Sequence, residues 1–213
     1  QDTLEQIASD VQRQREGRPT ILFSDCVANA ERLTEALLRL EPNSARIITG
    51  ETPRDERADI VAGYAAGAFG VLVNVGVATE GFDAPHCACV AMARPTRSRS
   101  LYEQMLGRGT RPLRGVVDGP PTAAERRAAI ATSGKPDLLI LDLVHVTTEH
   151  QLVTAFDILA GDADADVVAR ARASGESDVR KALKAAQTAQ NAELAARAAA
   201  MGKMLLRPPS RTR

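Results

Sequence analysis

The alternation of short, branched-apolar runs with segments of helical spacing constrains this chain more than any other feature of its sequence. Residues 19–25, Pro-Thr-Ile-Leu-Phe-Ser-Asp, form an apolar run that closes on polar residues. Between Ala28 and Leu40, Ala30, Leu33, Ala36, Leu37 and Leu40 then recur at helical spacing. The pair repeats. Arg46 to Gly50 predicts a second strand, and Thr52-Pro53 opens a helix to about Ala66 with Thr52 as its N-cap. Gly70 to Val75 predicts a third strand, almost continuously apolar, as a parallel strand covered on both faces must be. Cys87 to Met92 predicts a fourth. Ser98 to Gly107 predicts a helix broken by Gly107 and Gly109, and Asp137 to Val144 a last strand. Such alternation implies βαβ crossovers and an α/β fold, a doubly wound parallel sheet with helices on both sides.

Composition excludes several function classes. With 44% hydrophobic and 25% charged residues the chain can build a packed core, and its 213 residues suit one α/β domain plus an appendage. Aromatics make up 3%, which argues against base stacking on an aromatic platform. The formal net charge of zero means that any contact with nucleic acid must be local. No apolar run approaches a membrane span and the start carries no signal-like stretch, so a cytoplasmic protein with no membrane partner is expected. The first residue is Gln1, and the chain is expected to begin inside a longer polypeptide. Cys26, Cys87 and Cys89 lack paired spacing and are expected to be core thiols rather than a metal or disulfide set. His145 and His150 have no nucleophile-elbow serine or cysteine near them, against a hydrolase triad.

In a parallel doubly wound sheet ligands bind at the carboxyl ends of the strands, and the unusual residues of this sequence are expected there. Asn74 to Pro85 is a glycine-bearing turn too short for a crossover helix. In it Gly81 lets the backbone approach a partner closely, and Asp83 presents a carboxylate to a ribose or an arginine. Further on, Arg94, Arg97 and Arg99 lead to Gln104, Arg108 and Arg111. The spacing of four and three residues aims these last three side chains into one cleft. Guanidinium forks of this kind suit phosphate and the charge that develops in phosphoryl transfer.

Gln104-x-x-Gly107-Arg108-x-x-Arg111 resembles the QxxGRxxR motif VI of superfamily 2 helicases, and Val71 to Pro85, with its core Thr79-Glu80-Gly81-Phe82-Asp83-Ala84-Pro85, resembles their motif V. Ile21 to Ser24 followed by Ala30 to Leu33 resembles motif IV, and Thr49 to Pro53 leading to Arg57 resembles the segment that follows it. The four motifs occur in order between about Pro19 and Val144. The pattern is similar to the DEAH-type, RadD-like branch of repair, restriction and phage translocases. The resemblance implies a RecA-like fold of the second-domain type. It also implies arginine fingers at Arg108 and Arg111 with Gln104 beside them, nucleotide contacts at Gly81, Asp83 and Gly107, and a nucleic-acid track near Ser24, Gly50, Arg57 and Thr79. Val75 departs from the threonine with which many relatives touch the nucleic-acid phosphate.

What is missing defines the partner. No GxxxxGK[ST] occurs; in Ser133-Gly134-Lys135-Pro136 a proline holds the hydroxyl position, and no acidic pair of DExH type follows a strand. ATP hydrolysis needs a phosphate cradle, a Mg²⁺ ligand and a base. The expectation is an enzyme, an ATP-dependent helicase, only as part of a full-length protein. An N-terminal RecA-like domain of that same protein would hold most of the ATP and Mg²⁺, with DNA, or alternatively RNA, as the nucleic acid. The alternative is a non-catalytic RecA-like binding or scaffold module. The expected organisation is an entry segment over 1–18, the RecA-like domain over 19–161, and an Ala-rich helical extension with a basic terminus over 162–213. Packing of Leu152, Phe156 and Leu159 against the domain is expected as well.

Overall fold

The computed structural model describes residues 3–76, 83–143, 155–176 and 178–205. Two compact units divide the chain, Gln1–Val153 and Thr154–Arg213.

The first unit opens with α1 (Thr3–Gln14), which buries Ala8 and Val11. Then follow β1 (Thr20–Ser24), α2 (Val27–Leu40), β2 (Ala45–Ile48), α3 (Arg54–Ala65), β3 (Val71–Val75), β4 (Cys89–Ala93), α4 (Arg99–Gly109), α5 (Ala123–Ala131) and β5 (Leu139–Asp142). The five strands form one parallel sheet in the order β2-β3-β1-β4-β5. All five residues of the central strand β1 are buried, as the continuous apolar run requires. On one face Leu22, Val71, Val73, Cys89, Ala91 and Leu141 pack with Ala8 and Val11 of α1 and Ala30, Leu33 and Leu37 of α2. The alternate strand residues Ile21, Phe23, Leu72, Val90 and Met92 are buried on the other face. Tyr102, Met105 and Leu106 of α4 are buried too, so the sheet is covered on both sides, the doubly wound arrangement expected.

Several local expectations need correction. Pro53, not Thr52, is the N-cap of α3, because the Thr52 hydroxyl accepts the Thr49 amide instead and closes the turn before the helix. Gly107 does not break α4, which runs on through it and ends at Gly109. Gly109 is required there by packing: a Cβ would lie 2.5 Å from Leu138 Cδ1 and 2.8 Å from Val90 Cγ2. Between Pro112 and Pro136, a stretch rich in Gly, Pro, Ala and Arg whose composition suggests a surface excursion, the chain forms a helix, α5, started by a full capping box between Thr122 and Glu125. Cys87 and Cys89 are buried, but Cys26 is exposed at the start of α2. The outer strands β2 and β5 are shorter than predicted, and Val144 lies outside the described residues.

The second unit holds α6 (Ala155–Ala160), α7 (Ala165–Ala173) and α8 (Val179–Leu205). Val167 and Ala171 of α7 pack on Ala182 and Ala186 of α8, with Leu183 beside them, and the Arg170 guanidinium meets Glu193 as a two-pronged fork at 2.7 and 3.0 Å. Leu194, further along α8, is exposed. The expected packing of Leu152 and Phe156 lies outside the described residues, and Leu159 is 37% exposed. Among the described residues no helix is long and apolar enough to cross a membrane.

Candidate functional site

The strand termini sort the candidate residues into two groups. Ser24, Val75 and Ala93 end β1, β3 and β4 in register, so they mark the carboxyl edge of the sheet. Ser24 lies there as expected. It is 1% exposed, and its hydroxyl donates to the Cys26 carbonyl at 3.3 Å and to Asp25 Oδ1 at 3.4 Å. Gly50 follows β2 on an exposed turn, with open space where a Cβ would stand. Arg57 folds back onto that turn, Nη2 donating to the Thr49 carbonyl at 3.0 Å and the Thr52 carbonyl at 3.3 Å. Two of the three described track candidates therefore bond to their own backbone. Thr79 and Gly81 lie outside the described residues.

The arginine group sits at the opposite edge, which corrects the expectation that it gathers at the carboxyl ends. An eleven-residue helix is about 16 Å long, about the length of a five-residue strand. After leaving the end of β4, α4 runs back along it and finishes at the amino edge, with Gly109 against Val90, the second residue of β4, and against Leu138, just before β5. Gln104 is exposed and Arg108 half-buried on this helix, and Arg111 follows its C-cap, Thr110. Asp83 stands on the segment that leads into β4. Nη1 of Arg111 donates to its Oδ1 at 2.6 Å, and Nη2 of Arg114 donates to its Oδ2 at 3.0 Å. These bonds, that from Arg111 first, hold the Asp83 carboxyl below its ordinary range. The described bonds tie Arg111 to Asp83, the arginine partner foreseen for that carboxylate.

Further contacts position α4 and the segments around it. The Tyr102 hydroxyl donates to Asp142 Oδ2 at 3.2 Å and ties the start of α4 to the carboxyl end of β5. Gly107, unlike Gly109, has no atom within 4 Å of a would-be Cβ, so no described residue of the chain itself requires a glycine there. Arg114 and Lys135 were not foreseen. Arg114 continues the three-residue spacing of Arg108 and Arg111, a signal present in the sequence, whereas nothing around Lys135 announced its burial. Among the described residues no group of three His, Cys, Asp or Glu side chains could hold a metal ion.

Comparison with known proteins bears on the same stretch. The model of the helicase conserved C-terminal domain matches residues 2–112. A Saccharomyces cerevisiae protein whose name is that of an ATP-dependent helicase, IRC3, is 37% identical over 94 residues, 44% of this chain and 14% of its own length. UvrABC system protein B of Synechococcus sp. (strain JA-2-3B'a(2-13)) is 30% identical over 169 residues, 74% of this chain and 23% of its own. This chain thus spans under a quarter of either relative. Among solved structures, the C-terminal domain of the DEAD-box protein Dbp5 superposes with a TM-score of 0.50 at 16% identity, covering 88% of this chain and 91% of that one, a likeness of fold.

Proposed function

The chain belongs to the helicase conserved C-terminal domain family of superfamily 2, and from that premise we propose that it is the second motor lobe of an ATP-dependent DNA helicase or translocase. It supplies arginine fingers to a nucleotide held mainly by a preceding RecA-like lobe of the same protein. The observation that carries this reading is the Asp83 carboxylate with Arg111 and Arg114 on its two oxygens, the Arg111 side chain being 51% exposed. A guanidinium held by one carboxylate at a surface is oriented yet free to exchange that partner for a phosphate.

Bound ATP supplies the phosphoryl group whose transfer to water drives the cycle, with Mg²⁺ ligated by the preceding lobe. Arg108 and Arg111 contribute positive charge where negative charge develops, an effect worth about a thousandfold or more in rate. Gln104 lies one turn before Arg108 on the exposed side of α4 and orients water or phosphate. Asp83, released from Arg111 when that side chain turns to phosphate, is free to accept a hydrogen bond from the nucleotide sugar. The open space at Gly107 supports close approach of a partner from outside the chain, since a helix-interior glycine that nothing inside requires costs about 1 kcal/mol relative to alanine. At the carboxyl edge the exposed backbone at Gly50 is the best-placed contact for a phosphodiester among the described residues.

A second reading, a RecA-like binding or scaffold module without motor activity, is favoured by the inward bonding of Ser24 and Arg57. One experiment separates them. In the full-length protein Arg108→Ala and Arg111→Ala each lower nucleic-acid-stimulated ATP hydrolysis by about a thousandfold with the fold intact by circular dichroism. Turnover at the wild-type rate in both variants refutes the motor reading.

A further inference from the structure

The segment Ser133-Gly134-Lys135-Pro136 takes no part in the reading above, and it lies beyond the residues matched by the family model. Yet Lys135 is only 6% exposed, an unusual position for an ammonium group. Its Nζ donates to the Arg111 carbonyl at 2.6 Å and to the Pro85 carbonyl at 2.9 Å. The two acceptors come from separate stretches. Pro85 lies two residues after Asp83, and Arg111 two residues after the end of α4. Lys135 thus crosslinks the backbones of the two segments whose side chains meet in the Asp83–Arg111 pair.

The surrounding loop is built to deliver it. The Ser133 hydroxyl donates to the Ile130 carbonyl at 2.8 Å and accepts the Lys135 amide at 3.1 Å, which fastens the turn to the end of α5. Leu138, three residues on, packs over Gly109 and fixes the same end of α4 from the other side. Burial also holds the Lys135 pKa below its ordinary value, so the fold keeps this amine where its charge is disfavoured. A hydrophobic side chain of similar length would fill the space without that desolvation cost. It could not hold two carbonyls.

We propose that Lys135 is a positioning residue for the reaction, a buried staple that fixes the Arg111 backbone against Pro85 and so registers the Arg111 guanidinium with Asp83. The Arg111–Asp83 contact does not fix that register by itself, because both side chains are partly exposed, and exposed ion pairs hold geometry weakly. Fixing the backbone leaves the Arg111 side chain free to leave Asp83 for phosphate while its Cα stays in place. The inference rests on the arginine-finger role of Arg111.

The test is a double-mutant cycle in the full-length protein with Lys135→Met, Arg111→Ala and both together, reading kcat and KM for ATP in nucleic-acid-stimulated hydrolysis. Thermal unfolding and nucleic-acid affinity are measured in parallel. A finger displaced by about an ångström costs up to about a hundredfold in rate. K135M is therefore expected to lower kcat by roughly tenfold to a hundredfold, with KM and nucleic-acid affinity within about twofold, and to add no loss when Arg111 is already alanine. Should K135M fail to fold, Lys135→Gln, which keeps an N–H donor, is held to the same criteria with a smaller drop. Wild-type kcat in the Lys135 variant, a raised KM at unchanged kcat, or losses that multiply with R111A overturn the inference while R111A still abolishes turnover. R111A that retains turnover overturns the finger reading itself, and the staple with it.

Discussion

Arg111 and Arg114 share one carboxylate: Asp83 accepts Nη1 of the first at 2.6 Å through Oδ1 and Nη2 of the second at 3.0 Å through Oδ2. Three residues that are 28 and 31 positions apart in sequence thereby meet at the amino edge of the sheet. The pairing predicts a titration. Hydrogen bonds from Arg111, then Arg114, stabilise the ionised form, so the Asp83 carboxyl titrates below 3.8 in the folded chain. Carboxyl-detected NMR should show the midpoint returning toward 3.8 in Arg111→Ala and by a smaller step in Arg114→Ala. Because the folded pKa is depressed, the contribution of this pair to stability is present above pH 3.8 and is lost only as pH falls through the lower folded value. An Asp83 midpoint indifferent to both substitutions contradicts the geometry.

The two glycines of α4 should respond in opposite directions. Gly109→Ala places a Cβ 2.5 Å from Leu138 Cδ1 and 2.8 Å from Val90 Cγ2, an overpacking expected to destabilise by about 1–3 kcal/mol in urea unfolding. Gly107→Ala meets nothing within the described chain and replaces a poor helix former, so it should stabilise by about 0.5–1 kcal/mol. In the full-length protein the same G107A change should reduce ATP turnover, because the proposed partner uses that open space. Equal effects on stability from the two substitutions would count against the packing described for α4.

Arg15 and Gly70 form a second close pair. The Arg15 guanidinium is 6% exposed, donates to the Arg18 carbonyl at 3.2 Å and to Glu41 at 3.2 Å, and fills the space where a Cβ at residue 70 would lie 2.6 Å from Nη1. Gly70→Ala should therefore cost about 1–2 kcal/mol by forcing the guanidinium off its partners. The cost should shrink in an Arg15→Met background, a non-additivity that chemical denaturation of the four proteins can measure.

His86 predicts a pH dependence near neutrality. Its ring lies 4.7 Å from that of Tyr64, and burial, ahead of the Lys135 charge, holds its pKa below 6.5 despite the opposing influence of Asp83 and a backbone hydrogen bond. The unfolded chain then binds a proton at pH values where the folded chain does not, so stability is complete above about pH 6.5 and declines as pH falls through the window below it. His86→Gln should flatten the unfolding midpoint between pH 7 and pH 5, whereas an unaltered slope would place the dependence elsewhere.

The periodicities of the sequence were enough to fix the doubly wound sheet, because the central strands and α2 write their buried faces into local spacing: Leu22 and Leu33 are core for reasons visible within a few residues of each. Motif spacing likewise marked Arg108, Arg111 and Asp83 as special. The sheet edge on which they would lie was not legible there. It follows from the length of α4 against that of β4, and the termination rule for glycine misread Gly107, which α4 runs through, while the need for glycine at its last residue, Gly109, is set by Leu138, remote in sequence. The placement of Lys135 was equally hidden, since its acceptors on Pro85 and Arg111 are 50 and 24 residues away. Local sequence determines which backbone conformations and which faces are favourable, for those energies arise between near neighbours. Which carbonyls a buried cation reaches, and which carboxylate a guanidinium meets, depends on distances between separate segments, and only the folded chain sets those.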